Sequence, residues 1–291
     1  MPGAFGLNAG VLPSPGLTYE NMEVNYDTST LNDPSGKAIN PKPNLNLWVV
    51  ENWFIYMTNA KFLGGHLGFV AIIPMIANAS IDLSQLNKTG TTWGLSDTWL
   101  QPLTLGLKRA DTWVGDAFFV SIGRYSPGAL NNTGTGYFGN HLVSGTTVYL
   151  SKNKGTSANL FTDWEFHGSK TTGAGTTATP GQAFTMEWGI GQVLPLKKDF
   201  SQLLQLGLIG YDQWQVSDNG GLASPNIPAN RLPYYSFHAI GFQTNFILPA
   251  KGLNFFFKFE DEYRAFATPK GRTFVFGGSY TFRIPKPQAP H

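Results

Sequence analysis

The chain contains no cysteine. That excludes a disulfide framework, a thiolate metal site and a cysteine nucleophile. Charge is scarce as well. Asp, Glu, Lys and Arg make up 13% of the 291 residues, about half the usual share. Such a composition does not supply the densely charged surface of a soluble domain. A net charge of +2 creates no field that would draw nucleic acid or an acidic substrate. There is no basic stripe and no nucleic-acid motif, so no nucleic-acid partner is expected. No apolar run approaches the roughly 18 residues of a membrane helix. The opening Met1-Pro2-Gly3-Ala4-Phe5-Gly6 has neither a charged n-region nor an apolar h-region. For an exported protein, the expectation is a signal peptide removed ahead of this chain. The five histidines, His66, His141, His167, His238 and His291, show no pair at metal-ligand spacing. Gly168-Ser169-Lys170-Thr171 lacks the upstream glycine of a phosphate loop. No metal and no cofactor is expected.

What is abundant is aromatic and turn-forming. Phe, Trp and Tyr reach 14%, with 34 Gly and 19 Pro. The aromatics alternate with small polar residues. In Thr273 to Phe282, one strand face carries Phe274, Phe276, Tyr280 and Phe282, and the other carries Thr273, Gly277, Ser279 and Thr281. In Leu253 to Arg264, Phe255, Phe257, Phe259 and Tyr263 oppose Lys258, Glu260, Glu262 and Arg264. In Ala158 to His167, Leu160 and Trp164 oppose Asp163 and Glu165, and in Phe184 to Ile190, Trp188 opposes Glu187. A transmembrane barrel turns the aromatic face to lipid and the polar face to the lumen. Asp116 and Asp212 fall on the apolar parity. Pro74 and Pro102 fall inside strands, where a bulge or a missing ladder bond is needed.

The joints alternate in length. Short ones at Asn59 to Gly65, Lys108 to Asp111, Lys152 to Gly155, Pro195 to Phe200 and Pro249 to Gly252 each carry Lys. Long ones lie at Asp27 to Pro43, Asp82 to Thr92, Tyr125 to Asn140, Ser169 to Gly181 and Ser217 to Pro233, with a shorter sixth at Ala267 to Arg272. The rhythm predicts an all-β fold: a single antiparallel transmembrane barrel of about 12 strands with short periplasmic turns and long extracellular loops. The expected division is 1–16 as an N-terminal periplasmic or lumen-tucked segment, 17–284 as the barrel, and 285–291 as a tail. About twelve strands give a backbone radius of roughly 12 Å, which side chains narrow to a lumen of order 10 Å or close completely.

The run Gly277-x-x-Tyr280-x-Phe282 resembles the assembly signal of bacterial outer-membrane barrels. That resemblance implies the barrel-assembly machinery as a partner during insertion. The opening Phe5-Gly6-Leu7-Asn8-Ala9-Gly10-Val11-Leu12-Pro13-x-Pro15-Gly16 resembles the start of the bacterial family named for the meta-pathway of phenol degradation, a family of outer-membrane transporters. Leu95-x-Asp97-Thr98-Trp99-Leu100-Gln101-Pro102, Gly123-Arg124-Tyr125, Lys152-Asn153-Lys154-Gly155, Gly189-x-Gly191-Gln192 and Gly210-Tyr211-Asp212-Gln213-Trp214-Gln215 are similar to the same family, in the same order. The resemblance implies an outer-membrane location and uptake of small, often aromatic or apolar compounds. It brings no catalytic residues.

Candidate solute contacts follow from parity. Asp163, Glu165, Glu187, Lys258, Glu260, Glu262 and Arg264 are expected to face the lumen, with the inward aromatics Phe161, Tyr211 and Phe256. Two readings of the charges stand side by side: a constriction that orients a solute, and cross-strand pairs that hold a filled barrel together. The tryptophans are expected mostly in interfacial girdles. The expected partners are outer-membrane lipid and a small-molecule solute. The functional expectation is a passive channel, not an enzyme. The alternatives are a closed barrel whose loops bind a partner, and a membrane lipase built on Ser236 and His238, for which the sequence places no acidic or amide third member.

Overall fold

The structure, a computed structural model, describes residues 2–39, 43–83, 88–107 and 111–283. The strands are β1 (Gly16–Leu31), β2 (Asn44–Phe62), β3 (Gly65–Leu83), β4 (Lys88–Leu95), β5 (Thr98–Leu107), β6 (Asp111–Val120), β7 (Gly139–Tyr149), β8 (Thr156–His167), β9 (Lys170–Thr171), β10 (Thr177–Thr179), β11 (Ala183–Pro195), β12 (Leu203–Gln215), β13 (Gly220–Ser224), β14 (Ile227–Pro228), β15 (Ser236–Leu248), β16 (Leu253–Phe266) and β17 (Pro269–Arg283). β1 pairs with β2 on one side and with β17 on the other, and β2 pairs on to β3, so the main sheet closes on itself. All its pairings are antiparallel. β9, β10, β13 and β14 form a separate four-stranded sheet in the long loops.

β4 and β5 are two halves of one traverse, which makes the ring a 12-strand barrel. Both lie along β3: Leu95 pairs with Met75 and Trp99 with Ile72. Pro74 is the cause of the break. Its carbonyl accepts Ser96 N at 3.0 Å, and the donor it lacks would point to that same side. The ladder therefore skips at Ser96–Asp97 and resumes. Pro102 is accommodated in the same way, at an irregularity between Leu100 and Leu103.

The short-turn rim carries both the start of β1 and the end of β17, with Gly16 opposite Arg283. Four of the five predicted short joints are described. That at Lys108 to Asp111 lies largely outside the described residues, as do the predicted tail 285–291 and part of the Asp82 to Thr92 joint. The sixth long joint is shorter than expected. Ala267 and Thr268 alone separate β16 from β17, with Ala267 at φ 51°, because Pro269 to Arg272 already pairs with β1.

Alternation sorts the side chains. Phe255, Phe276 and Phe282 are exposed on the outside, together with Leu142, Ile190 and Leu208. Phe242, Phe257 and Phe276 form an aromatic ladder across β15, β16 and β17, with ring centroids 5.7 and 4.9 Å apart. Cross-strand aromatic pairs of this kind reinforce a sheet. Inside, Thr104, Asn159, Thr185, Gln205, Gln243 and Asn245 are buried. Asp116 and Asp212 do lie on the outer parity. Each is satisfied there: Asp116 accepts Asn140 Nδ2 at 2.7 Å, and Asp212 accepts Trp188 Nε1 at 3.1 Å and lies 2.7 Å from His238 Nδ1.

The outer aromatic ladder yields a stability test. Phe257→Arg places a cation on the lipid face and is expected to cost about 2–4 kcal/mol. A denaturant titration of folding into lipid vesicles measures it, and a loss below about 0.5 kcal/mol would mean that this face is not in hydrocarbon.

Candidate functional site

The first residues lie inside the barrel. Gly3, Asn8 and Gly6 adopt φ of 87°, 68° and 62°. These left-handed steps wind the chain so that successive amides converge, as in backbone anion nests. Their target is Glu187 on β11. Gly3 N (2.9 Å) and Ala4 N (3.3 Å) donate to Oε1, and Phe5 N (2.8 Å) and Gly6 N (3.4 Å) donate to Oε2. A carboxylate buried this deeply is tolerable only because it is fully hydrogen-bonded. Lys258 Nζ, on β16 three strands away, donates to the carbonyls of Gly3 and Ala4.

Farther along, the segment keeps meeting the wall. Leu7 N donates to Gln243 Oε1 (2.9 Å), Asn8 exchanges two side-chain bonds with Gln205 (2.7 and 2.9 Å), and Gly10 N donates to Thr147 Oγ1 (3.0 Å). Trp113 Nε1 donates to Ala9 O at 2.7 Å. The Phe5 ring stacks on Phe161 at 3.9 Å and meets Trp53 edge-on at 5.6 Å. Leu7 sits against three wall glycines: a Cβ on Gly189, Gly191 or Gly207 would come within 3.0 Å of its Cδ2. Residues 2–13 thus form a plug fitted to this barrel.

Above the plug, β7 and β8 bring titratable groups together. His141 Nδ1 lies 3.0 Å from both Asp163 oxygens. Glu165 accepts Gln213 Nε2 (2.8 Å) and Thr185 Oγ1 (3.2 Å), and lies 3.4 Å from His167 Nε2. His141, Asp163 and Glu165 offer metal-type donors within 4.8 Å of one another. Hydrogen bonds already occupy both carboxylates, so the cluster needs no ion to satisfy it. In the loop above, burial and the nearby carboxylates of Glu165 and Asp97 push the Tyr137 hydroxyl up to about 12. It therefore stays a neutral hydrogen-bonding group through the physiological range.

The loop between β6 and β7 is tied to the strand break. Buried Asp97, between β4 and β5, accepts Gly123 N (2.9 Å), Thr135 N (2.6 Å) and Thr135 Oγ1 (2.8 Å), and so anchors both ends of loop 121–138. A cavity of about 950 Å³ runs alongside the plug, lined by Tyr137, Leu232 and Tyr235 on the loop side and by Thr18, Ser279 and Thr281 on the short-turn side.

Six of the sequence-derived candidates line that cavity: Phe161, Asp163, Glu165, Glu187, Phe256 and Lys258. Three are buried in the wall apart from it. Tyr211 donates to Glu262 Oε1 at 3.0 Å, Tyr26 donates to its Oε2 at 3.0 Å, and Glu260 lies beside Gly3. Arg264 is placed differently from expectation. The β15–β16 register shifts between His238 and Ala239, opposite Arg264 and Glu262. Parity flips there, so Ala265 is buried and Arg264 is exposed, over the Phe266 ring at 4.7 Å. Trp48, Trp93 and Trp164 are exposed, as girdle residues are, but Trp53, Trp99 and Trp113 line the cavity. His238 partners Asp212, and among the described residues no hydrogen bond joins it to Ser236.

The family profile named for the MetA-pathway of phenol degradation matches residues 28–276. The chain belongs to that family. No curated protein matches the sequence. Among solved structures, the COG4313 outer membrane channel from Pseudomonas putida F1 is similar over 97% of this chain and 99% of its own, at 15% identity and a TM-score of 0.76. A FadL homologue from Pseudomonas aeruginosa aligns over 92% of this chain and 89% of its own, at 9% identity and a TM-score of 0.40. The β domain of the Bordetella autotransporter BrkA aligns over 92% and 100%, at 13% identity and a TM-score of 0.35. The first likeness establishes the fold, that of an outer-membrane barrel, and the other two are too distant to add to it. The family match begins at residue 28, so the plug of this family member lies outside it.

The plug contacts are what sequence reasoning missed. Pairs such as Phe5 with Phe161 or Gly3 with Glu187 have no spacing to betray them. The inward glycines Gly189, Gly191 and Gly207 were the available signal. Glu187→Ala removes the acceptor for four plug amides. It is expected to raise conductance in planar bilayers severalfold while the barrel keeps its heat-modifiable gel shift. Unchanged conductance would mean that the plug holds without its latch. Asp97→Ala is expected to expose loop 121–138 to limited proteolysis, with the barrel left intact.

Proposed function

We propose that this protein is a passive channel through which small aromatic or apolar solutes cross the outer membrane. The observation that carries this is the character of the cavity that runs alongside the plug. Its volume of about 950 Å³ lies in the usual range of small-molecule sites, about 300–1,000 Å³. Its lining brings the rings of Trp99, Tyr137, Tyr235 and, where Phe5 leaves it uncovered, Phe161 together with the polar groups of His141, Asp163 and Glu165. Rings offer apolar area to a flat solute, and a few fixed polar groups orient it. In this reading Phe161, Asp163, Glu165, Phe256 and Lys258 touch the solute. Tyr211, Glu260 and Glu262 hold the wall, and Glu187 sets whether the plug stays. The family name, tied to phenol degradation, supports the choice of solute class.

The acidic groups Glu20, Glu51, Glu187 and Glu260 surround the Lys258 ammonium. Residual ion leak is therefore expected to favour cations, and Lys258→Met should increase that preference in reversal-potential measurements.

A second reading has its own observation. The plug is hydrogen-bonded to side chains on seven strands, β6, β7, β8, β11, β12, β15 and β16, which favours a closed barrel whose loops do the binding. Proteoliposomes separate the two. Channel function predicts flux of a small phenol or benzoate-sized solute, reduced by Phe161→Ala, with sugars of similar mass excluded. Absence of flux from wild type and from Glu187→Ala alike would sink the channel reading.

A further inference from the structure

The wall rings best placed to receive an aromatic solute are already occupied. Trp53 on β2, Trp113 on β6 and Phe161 on β8 converge on one place in the lumen, and Phe5 of the plug fills it. Phe5 stacks on Phe161 with centroids 3.9 Å apart and planes inclined by 16°. It meets Trp53 edge-on at 5.6 Å and Trp113 at 5.9 Å, and Trp113 lies 6.1 Å from Phe161. Such contacts among aromatic rings are favourable beyond the area they bury. With Phe5 in place, Phe161 and Trp113 are only 4% exposed and Trp53 only 6%. Phe5 itself is half-buried and belongs to the lining of the cavity. A solute that is to stack on Phe161 must therefore take the place of Phe5.

Phe5 brings two features to this place. Its ring covers Phe161, and its amide donates to Glu187 Oε2 at 2.8 Å. Glu187 and Phe161 are directly opposite each other on β11 and β8, so one small ligand can reach both. The two contacts define what can replace Phe5: a single flat ring that carries a hydroxyl or amino donor. A phenol or an aniline has both. A benzoate has the ring but sets a carboxylate against the buried carboxylate of Glu187, which is costly away from water. A saturated alcohol has the donor but no flat face to stack. The hold on Phe5 is also local. Gly3 and Gly6 bracket it with left-handed φ of 87° and 62°. Leu7, Asn8 and Gly10 have their own bonds to Gln243, Gln205 and Thr147.

We propose that Trp53, Trp113 and Phe161 form the ring-binding subsite of the channel, that Phe5 holds it as an internal stand-in for the solute, and that a phenol- or aniline-type solute binds by displacing Phe5. The assignment rests on the channel function proposed for this cavity. It adds the class of solute and the way a solute loosens its own obstruction. The turn between Gly3 and Gly6 moves, the incoming donor takes over Glu187 Oε2, and residues 7–10 stay anchored. Solute and Phe5 exclude each other from one place. Solute binding and the docking of Phe5 are therefore linked by the same factor in both directions. Because Phe5 is tethered close to its site, it competes at an effective concentration on the order of millimolar. The solute must be abundant, or bind the three rings better than a phenyl side chain does.

The test uses the full chain in nanodiscs and titration calorimetry with phenol, benzoate and cyclohexanol. Phe5→Ala removes the competitor and is expected to tighten phenol binding at least tenfold. Adding Phe161→Ala to the same chain should cancel that gain. Benzoate and cyclohexanol should bind Phe5→Ala at least tenfold more weakly than phenol does. A second readout follows the plug. The chain has no native cysteine, so Ala4→Cys reports on the plug alone. Phenol is expected to speed its labelling by a water-borne maleimide at least fivefold, and benzoate to leave the rate unchanged. Phenol affinity in Phe5→Ala that is equal to wild type or weaker overturns the proposal. So does a gain that survives Phe161→Ala, labelling that phenol leaves unchanged, or benzoate binding as tight as that of phenol. If Phe5→Ala lacks the heat-modifiable gel shift of a folded barrel, the labelling ratio decides alone. Neither readout is a flux. Tightened binding without flux from wild type or Glu187→Ala removes the channel and leaves the subsite. Flux without either effect removes the subsite and leaves the channel.

Discussion

A strand inside hydrocarbon has no water to take its backbone hydrogen bonds, so the sheet has to close. The ladder between Gly16–Leu31 and Pro269–Arg283 provides that closure. Everything else in the molecule is an accommodation to it. Alternation sends phenylalanines out and amides in because the ring leaves each strand one wet face and one dry face. Pro74 cannot meet the rule at its own position, and the neighbouring traverse breaks into two at Ser96–Asp97 to absorb the missing donor.

The same demand recurs inside. A lumen of this size is neither bulk water nor packed core, and its polar groups need partners supplied by the protein. The plug answers that need. It brings its own unpaired amides and carbonyls, and the wall supplies Glu187, Gln243, Gln205, Thr147 and Lys258 to meet them. The wall is therefore bilingual: aromatic where Phe5 stacks on Phe161, and polar where the backbone of residues 3–6 passes. That double character is also what a small amphiphilic aromatic molecule would encounter.

Much of the architecture was legible in the sequence because barrel geometry is local. Parity along Phe255 to Glu262 places Lys258, Glu260 and Glu262 inside, and the turn residues mark the strand ends. What failed was whatever depends on an interruption or on distance. A single register shift near residue 263 is enough to send Arg264 outward. Trp53, Trp99 and Trp113 look like girdle residues by type, yet their strands turn them inward to meet the plug and the cavity. Asp212 looked misplaced until its neighbour across the ladder, His238, became visible. Of the candidate site, the wall residues could be read from the chain. The contacts that give them meaning come from residues 2–13, whose irregular sequence carries no period.

The plug is covalently continuous with β1, one of the two strands whose pairing completes the ring. A segment that had to enter a finished cylinder would need to thread through its open end. One attached to the closing strand can instead be laid across the still-open sheet, with Leu7 finding its glycine notch on β11 and β12 before β1 meets β17. Connectivity thereby allows the stopper to be seated by the same movement that seals the vessel. A molecule in which that order failed would be closed around an empty bore, with the Glu187 carboxylate left without the four amides that surround it.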